Sequence, residues 1–401
     1  GCGNSVNANH PVVVQFILDS LRYWVLQMHV DGFRFDLASE LCRGENGDIL
    51  GIPFLTRAIS EDPVLHDSKI IAEPWDAGGA YHVGCFPGGR WSCWNDKFRD
   101  AMRRFFRGED HLITELATRI TGSSDLFAGG GPEASVNFVC VHDGFTMNDL
   151  VSYTSKHNIA NGEGNCDGSE NNYSYSNGIE GETDNVHIEN LRLRSIKNMM
   201  LSLMLSQGVP LLLAGDEFRR TQHGNNNAYC QDNEISWIDW SLAEKNADIL
   251  RFVQKLIKLR KDHPVFRRSE FFKGGDIAHG IFPDIAWYNA EGQYPDWTKL
   301  KKFIACRMNG SAADTRNGLK DNDFYFAINM DSQDCVAMLP PLPADRSWRR
   351  VIDTSAAAPE DICDSGDEEI LPSQKRYIVP AGSIVLLLSM DILQNRRSAG
   401  C

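Results

Sequence analysis

The chain has 401 residues, 42% hydrophobic and 23% charged, enough apolar material for two domains with a sizeable core. Its 54 acidic against 40 basic residues leave a formal net charge of −14, which disfavours nucleic acid as principal partner and suits a neutral polymer better. No apolar run approaches the roughly 20 residues that cross a bilayer, and the 11 cysteines, without a C-x-x-C pair, read as free thiols with no zinc site implied.

Asn9-His10-Pro11 reads as a helix start, with Asn9 as cap and Pro11 in the first turn. Phe16, Ile17, Leu21, Trp24, Val25 and Met28 follow at helical spacing and are expected to pack against a sheet. Residues 30–37 are the first expected strand. In Asp31-Gly32-Phe33-Arg34-Phe35-Asp36 side chains alternate across the pleat, so Phe33 and Phe35 share one face while Arg34 and Asp36 share the other. A glycine-containing loop and a helical stretch to about residue 60 lead to a second strand over 69–75, ending at Ala72-Glu73-Pro74-Trp75-Asp76. Strand alternating with helix is the pattern of a parallel α/β architecture.

Residues 76–96 are rich in glycine and aromatics and read as a loop. Trp75, Tyr81, Phe86, Trp91 and Trp94 are candidate amphipathic contact surfaces. Most are expected to be loop anchors, and Trp75 has the first claim because it lies beside Glu73. Residues 97–107 read as a basic helix start. A third apolar run, 137–141, stops at His142-Asp143-Gly144. Residues 157–185, heavy in Asn, Gly and Glu, form a long loop expected to wall a site. A helix over 190–206 ends at Gly208 and Pro210, and 209–214 reads as the last strand of a barrel. Past about residue 266, alternating runs at 281–288, 303–308, 324–328, 337–339 and 377–388 suggest a small antiparallel domain, with an acidic mobile loop over 354–368.

Three strand ends therefore deliver Asp36, Glu73 and Asp143 in order, with Arg34 and His142 beside them. A lone strand-end acid is more often a loop cap. Three in sequence point to acid chemistry at one pocket, because catalytic groups of parallel barrels gather at the C-terminal ends of the strands.

Residues 31–39, 72–76 and 141–144 resemble three of the four signature regions of the alpha-amylase superfamily of glycoside hydrolases. Gly1-Cys2-Gly3-Asn4, Gln207-Gly208-Val209-Pro210, Ala214-Gly215-Asp216-Glu217 and His223-Gly224-Asn225-Asn226-Asn227 narrow the resemblance to the isoamylase and glycogen-debranching group, nearest the plastid isoamylase 3 type. The resemblance implies an α/β fold, a (β/α)8 TIM barrel of which strands 4–8 are present in residues 1–265, followed by a small antiparallel β-sandwich over 266–401. Nothing matches the group's N-terminal domain, its first three strands or its first signature region. The chain is accordingly expected to be the C-terminal portion of a longer protein, inactive or aggregation-prone alone.

By the same resemblance, Asp36 is the nucleophile and Glu73 the general acid of a retaining hydrolase that cleaves α-1,6 branch points. Asp143 holds sugar hydroxyls, while Arg34, Trp75 and His142 contact substrate or its acids. Burial should raise the pKa of Glu73, and Arg34 should keep Asp36 ionised. Asp216-Glu217 is expected to shape the site without cleaving bonds. No metal or cofactor is implied. The expected partner is a branched α-glucan such as amylopectin, phytoglycogen or limit dextrin, with homo- or hetero-oligomers of isoamylase subunits possible. The compartment would be the plastid stroma for a plant or algal source and the cytoplasm for a bacterial one. Two alternatives stay open: a non-catalytic scaffold subunit, which the intact acids argue against, and an α-glucan transglycosylase.

Overall fold

A computed structural model of the protein describes residues 4–274, 282–313 and 320–392. The first half runs α1 (Pro11–Leu26), β1 (Gly32–Phe35), α2 (Phe54–Glu61), β2 (Lys69–Ala72), β3 (Ser92–Asn95), α3 (Asp96–Phe106), α4 (Ile113–Ile120), α5 (Ser124–Phe127), β4 (Ser135–Asn137), α6 (Met147–Leu150), α7 (Val186–Leu205) and β5 (Val209–Pro210). After α8 (Ser241–Lys245) and α9 (Ala247–Asp262) the remainder is strand: β6 (Ile285–Tyr288), β7 (Phe303–Met308), β8 (Phe324–Asn329), β9 (Cys335–Met338), β10 (Arg346–Asp353), β11 (Glu369–Ile370), β12 (Arg376–Val379) and β13 (Ser383–Asp391).

The strands β1 to β5 form one parallel sheet in sequence order. Glu73 continues the β1–β2 ladder past its named end: its N–H donates to the Phe35 carbonyl at 3.0 Å, and the Ala38 N–H donates to the Glu73 carbonyl at 2.9 Å. That register puts the residues just after β1 and just after β2 side by side, which is what the acid site needs.

Several elements differ from the sequence reading. The cap of α1 is His10, whose Nδ1 accepts the Val12 N–H, not Asn9. Its buried stripe is Val14, Leu18 and Leu21, while Phe16 is 73% exposed and Trp24 and Met28 are exposed as well. The helix is apolar on more than one face, so spacing alone left the inward face open. Inside the stretch read as a loop lies β3. It ends where the Asn95 side chain caps α3 by accepting the Phe98 N–H at 3.0 Å. The strand expected over 137–141 is paired only through Ser135–Asn137. Beyond it the buried Arg103 guanidinium takes the Val139 carbonyl at 2.8 Å. The last strand pairs only at Val209–Pro210, with the Leu211 N–H donating one further bond to the Asn137 carbonyl at 2.8 Å. Gly208 before it adopts φ +111°, and a Cβ there would sit 2.7 Å from Asn137 Nδ2.

The helix expected over 190–206 starts earlier, at Val186, capped by the Asn185 side chain. The loop over 157–185 is pinned by amides rather than loose. Asn161 and Asn227 donate to the Asp167 carboxylate at 2.6 and 2.8 Å, and Asn158 donates to Asn226 Oδ1 at 2.8 Å.

The antiparallel part is a six-stranded sheet in the order β11-β10-β13-β8-β7-β6, with the β9–β12 pair packed against it as a sandwich. Strand alternation divides two cores. Phe324, Phe326, Ile328, Ile384, Leu386 and Leu388 join the helices α3, α7 and α9 in the main core, and Tyr325, Ala327, Val385 and Leu387 face the small pair. Residues 354–368 are not the mobile loop expected from their charge. Asp361 is fully buried, paired with Lys197 of α7 at 2.6 Å and with Arg251 of α9. Gly1 to Gly3, Ile281 and Cys401 lie outside the described residues.

Candidate active site

Arg34 stands near the end of β1 and Asp36 follows the strand. The guanidinium forks: Nη1 is 2.9 Å from Asp36 Oδ1 and Nη2 is 2.9 Å from Glu73 Oε2. Between the two acids Leu37 turns into the left-handed region, at φ 40° and ψ 47°, and its N–H donates to Glu73 Oε2 at 2.9 Å. A branched-chain-bearing residue adopts that conformation rarely. Here it aims a backbone donor at a buried carboxylate.

The two acids sit in contrasting surroundings. Glu73 is 6% exposed, whereas the Asp36 side chain is 72% exposed. Burial raises the pKa of Glu73, opposed by the Leu37 N–H and Arg34 and reinforced by the neighbouring Asp36 carboxyl. The group that can stay protonated is therefore the sheltered one.

A cavity of about 280 Å³ opens over Glu73, walled by Trp75, Tyr81, Trp94, His142 and Asp143. His142 and Asp143 lie at its edge, with Nε2 to Oδ2 at 3.3 Å and both side chains more than half exposed. Trp75 bridges to Tyr81 through the backbone, and the Tyr81 hydroxyl donates to Asp96 at 2.6 Å. Of the six residues singled out in the sequence, Glu73, Trp75, His142 and Asp143 line this cavity, and Arg34 and Asp36 join it through the ion pairs.

In the sequence Trp94 is one of the candidate contact surfaces or loop anchors. The Arg34 guanidinium lies 4.4 Å above its ring, so it is an internal support and not a free platform. Asp216 is also internal: fully buried, it accepts the Met147 N–H at 2.8 Å, and burial pushes its pKa up to about 7. Among the described residues no group of three His, Cys, Asp or Glu side chains is arranged to hold a metal, and no helix is long and apolar enough to cross a membrane.

Against known proteins, residues 286–383 match the family described as isoamylase 1-3, C-terminal. The chain is 46% identical over 400 residues to the glycogen operon protein GlgX homolog of Mycobacterium tuberculosis, covering 96% of this chain and 54% of that protein. It is 45% identical over 390 residues to the chloroplastic isoamylase 3 of Oryza sativa subsp. japonica, covering 96% and 47%. The chain thus spans about half the length of the curated relatives it matches. Among solved structures it resembles a pullulanase from Bacillus acidopullulyticus, with a TM-score of 0.68 at 22% identity, over 97% of this chain and 41% of that one.

Proposed function

The chain belongs to the isoamylase and GlgX family, and from that premise we propose that it carries the cleavage site of a retaining hydrolase of α-1,6 branch linkages in starch- or glycogen-type glucans. One observation carries the reading: Asp36 and Glu73 hold opposite ends of one guanidinium, at 2.9 Å each, beside a cavity. Retaining glycosidases work with two carboxyls about 5 to 5.5 Å apart.

In the first step the Asp36 carboxylate attacks the anomeric carbon while Glu73 gives its proton to the departing glycosidic oxygen. A glycosyl ester on Asp36 and a free hydroxyl on the leaving glucan result. In the second, Glu73, now ionised, takes a proton from water as that water attacks the ester, which restores both acids and releases the reducing end. Arg34 pairs with the Asp36 carboxylate at 2.9 Å. Asp143 and His142 are placed at the cavity edge to hold sugar hydroxyls, and Trp75 offers an aromatic face.

The same reading makes β1 to β5 five of the eight strands of a (β/α)8 barrel, with residues 1–265 as its catalytic portion and 266–401 as a supporting β domain. Both sheet edges and the apolar outer face of α1 are consistent with that. The partner is a branched α-glucan, the relatives suggest plastid stroma or bacterial cytoplasm, and no metal or cofactor enters. Incubation with amylopectin of the protein that carries this chain tests the function: net new reducing ends and a rising blue iodine colour are expected. Redistribution of chain lengths without new reducing ends would mark a transglycosylase instead.

A further inference from the structure

Trp94 touches both halves of the acidic site. It lies on β3, between β2, which leads into Glu73, and β4, which leads toward His142 and Asp143. The Arg34 guanidinium stacks 4.4 Å from its ring centroid, the His142 ring stands at 5.9 Å with its plane turned 70°, and Phe138 packs behind at 5.5 Å. The indole is itself 7% exposed. It is therefore held by the core while it holds the site.

An arginine that serves one carboxylate can follow it; one that serves two at once must be fixed in a single plane. The Arg34 fork reaches Asp36 with one nitrogen and Glu73 with the other, and neither ion pair dictates the plane alone. A flat aromatic face beneath a guanidinium supplies that restraint. We propose that Trp94 is a positioning residue which, by stacking on Arg34, locks the guanidinium between Asp36 and Glu73. This rests on the assignment of those two acids as nucleophile and proton donor.

The consequence is electrostatic. Glu73 faces Arg34 and Asp36 from β1 and its end, Tyr81, Asp96 and Arg99 from the segment around β3, and His142 and Asp143 from beyond β4. Of these, Arg34 is the cation in contact with it. If the indole is removed the guanidinium is free to swing toward solvent and Asp36, and Glu73 loses the charge that opposes its burial.

Two measurements on the full 401-residue chain test this. In the unmodified chain, the Arg34 side-chain protons should be displaced upfield by the indole ring current; resonances at ordinary arginine positions would overturn the proposal, and no variant is needed. Carboxyl NMR titration of Glu73, assigned with Glu73→Gln, should show its midpoint rising by about one pH unit in Trp94→Leu. Trp94→Tyr, which keeps an aromatic face, should hold it near the parent value. In an Arg34→Gln background, Trp94→Leu should add nothing further. An equal shift with and without Arg34 would overturn the proposal, since a purely structural tryptophan acts regardless of the guanidinium. A Glu73 that titrates in the ordinary range in the parent chain would instead defeat the acid assignment, while the Arg34 resonances still decide the role of Trp94.

Discussion

Asp36 and Glu73, distant in sequence, share the guanidinium of Arg34, which stands 2.9 Å from an oxygen of each. The sharing has a sign. Glu73 must be protonated to act first, and its pKa is raised by burial against the lowering effect of Leu37 and Arg34. Branch cleavage should therefore fall as pH rises through the raised value, and Arg34→Gln should move that alkaline limb to higher pH while lowering the maximum. A profile of kcat/KM against pH on a branched dextrin checks this. An alkaline limb that stays put in the variant would show that Glu73 is not the group being read.

Much of this site was legible because alternation along 31–36 fixes which side chains share a face, and the strand ends at Glu73 and His142-Asp143 are marked by apolar runs that stop. The place of Trp94 on a strand was not legible, although the residue stood out among the aromatics. A four-residue strand bounded by glycines and aromatics has too little pattern to separate it from a loop, and its role depends on sheet neighbours that sequence does not name. The inward face of α1 failed for a related reason: an apolar helix offers several stripes, and only the packing selects Val14, Leu18 and Leu21. The segment 354–368 was misread because the cations that pair with its buried Asp361, Lys197 and Arg251, lie on helices far upstream.

Asp216 predicts a pH dependence of stability. Its pKa in the fold, about 7, lies well above the ordinary aspartate range, so the folded state prefers the neutral acid. The stabilisation from that proton is complete below the unfolded value and is lost as pH rises toward 7. Asp216→Asn keeps an oxygen for the Met147 N–H and cannot ionise. It should melt at a higher temperature than the parent at about pH 8, by an amount on the order of a few kcal/mol at about 1.4 kcal/mol per pKa unit, and match it near pH 4. Equal melting at both pH values would refute the burial argument.

The Asp361 cluster ties the helices to the β domain. Asp361→Ala leaves Lys197, 2% exposed, with no carboxylate partner in the core, and removal of one member of a buried pair typically costs about 3 to 5 kcal/mol. Urea unfolding should show that loss. A change below about 1 kcal/mol would mean the cluster is solvated.

Thiol chemistry offers an independent check on packing. Cys85, Cys166 and Cys230 are exposed, while Cys42, Cys93, Cys140 and Cys306 are buried, and burial pushes the thiols of Cys42 and Cys93 up to about 12. An aromatic disulfide reagent at about pH 7.5 should modify the exposed set quickly and the buried set only in denaturant, as mapped by peptide mass. Fast labelling of Cys140 or Cys306 in the native state would contradict the core described here.

The central claim is that Asp36 is the nucleophile and Glu73 its acid partner. Mass analysis after reaction of Glu73→Gln with an α-maltosyl fluoride, whose leaving group needs no proton, tests it most directly. The account predicts a glycosyl adduct on the peptide that contains Asp36, absent from Asp36→Asn. An adduct on Asp143 or elsewhere, or Asp36→Asn that still debranches amylopectin at the parent rate, would contradict it.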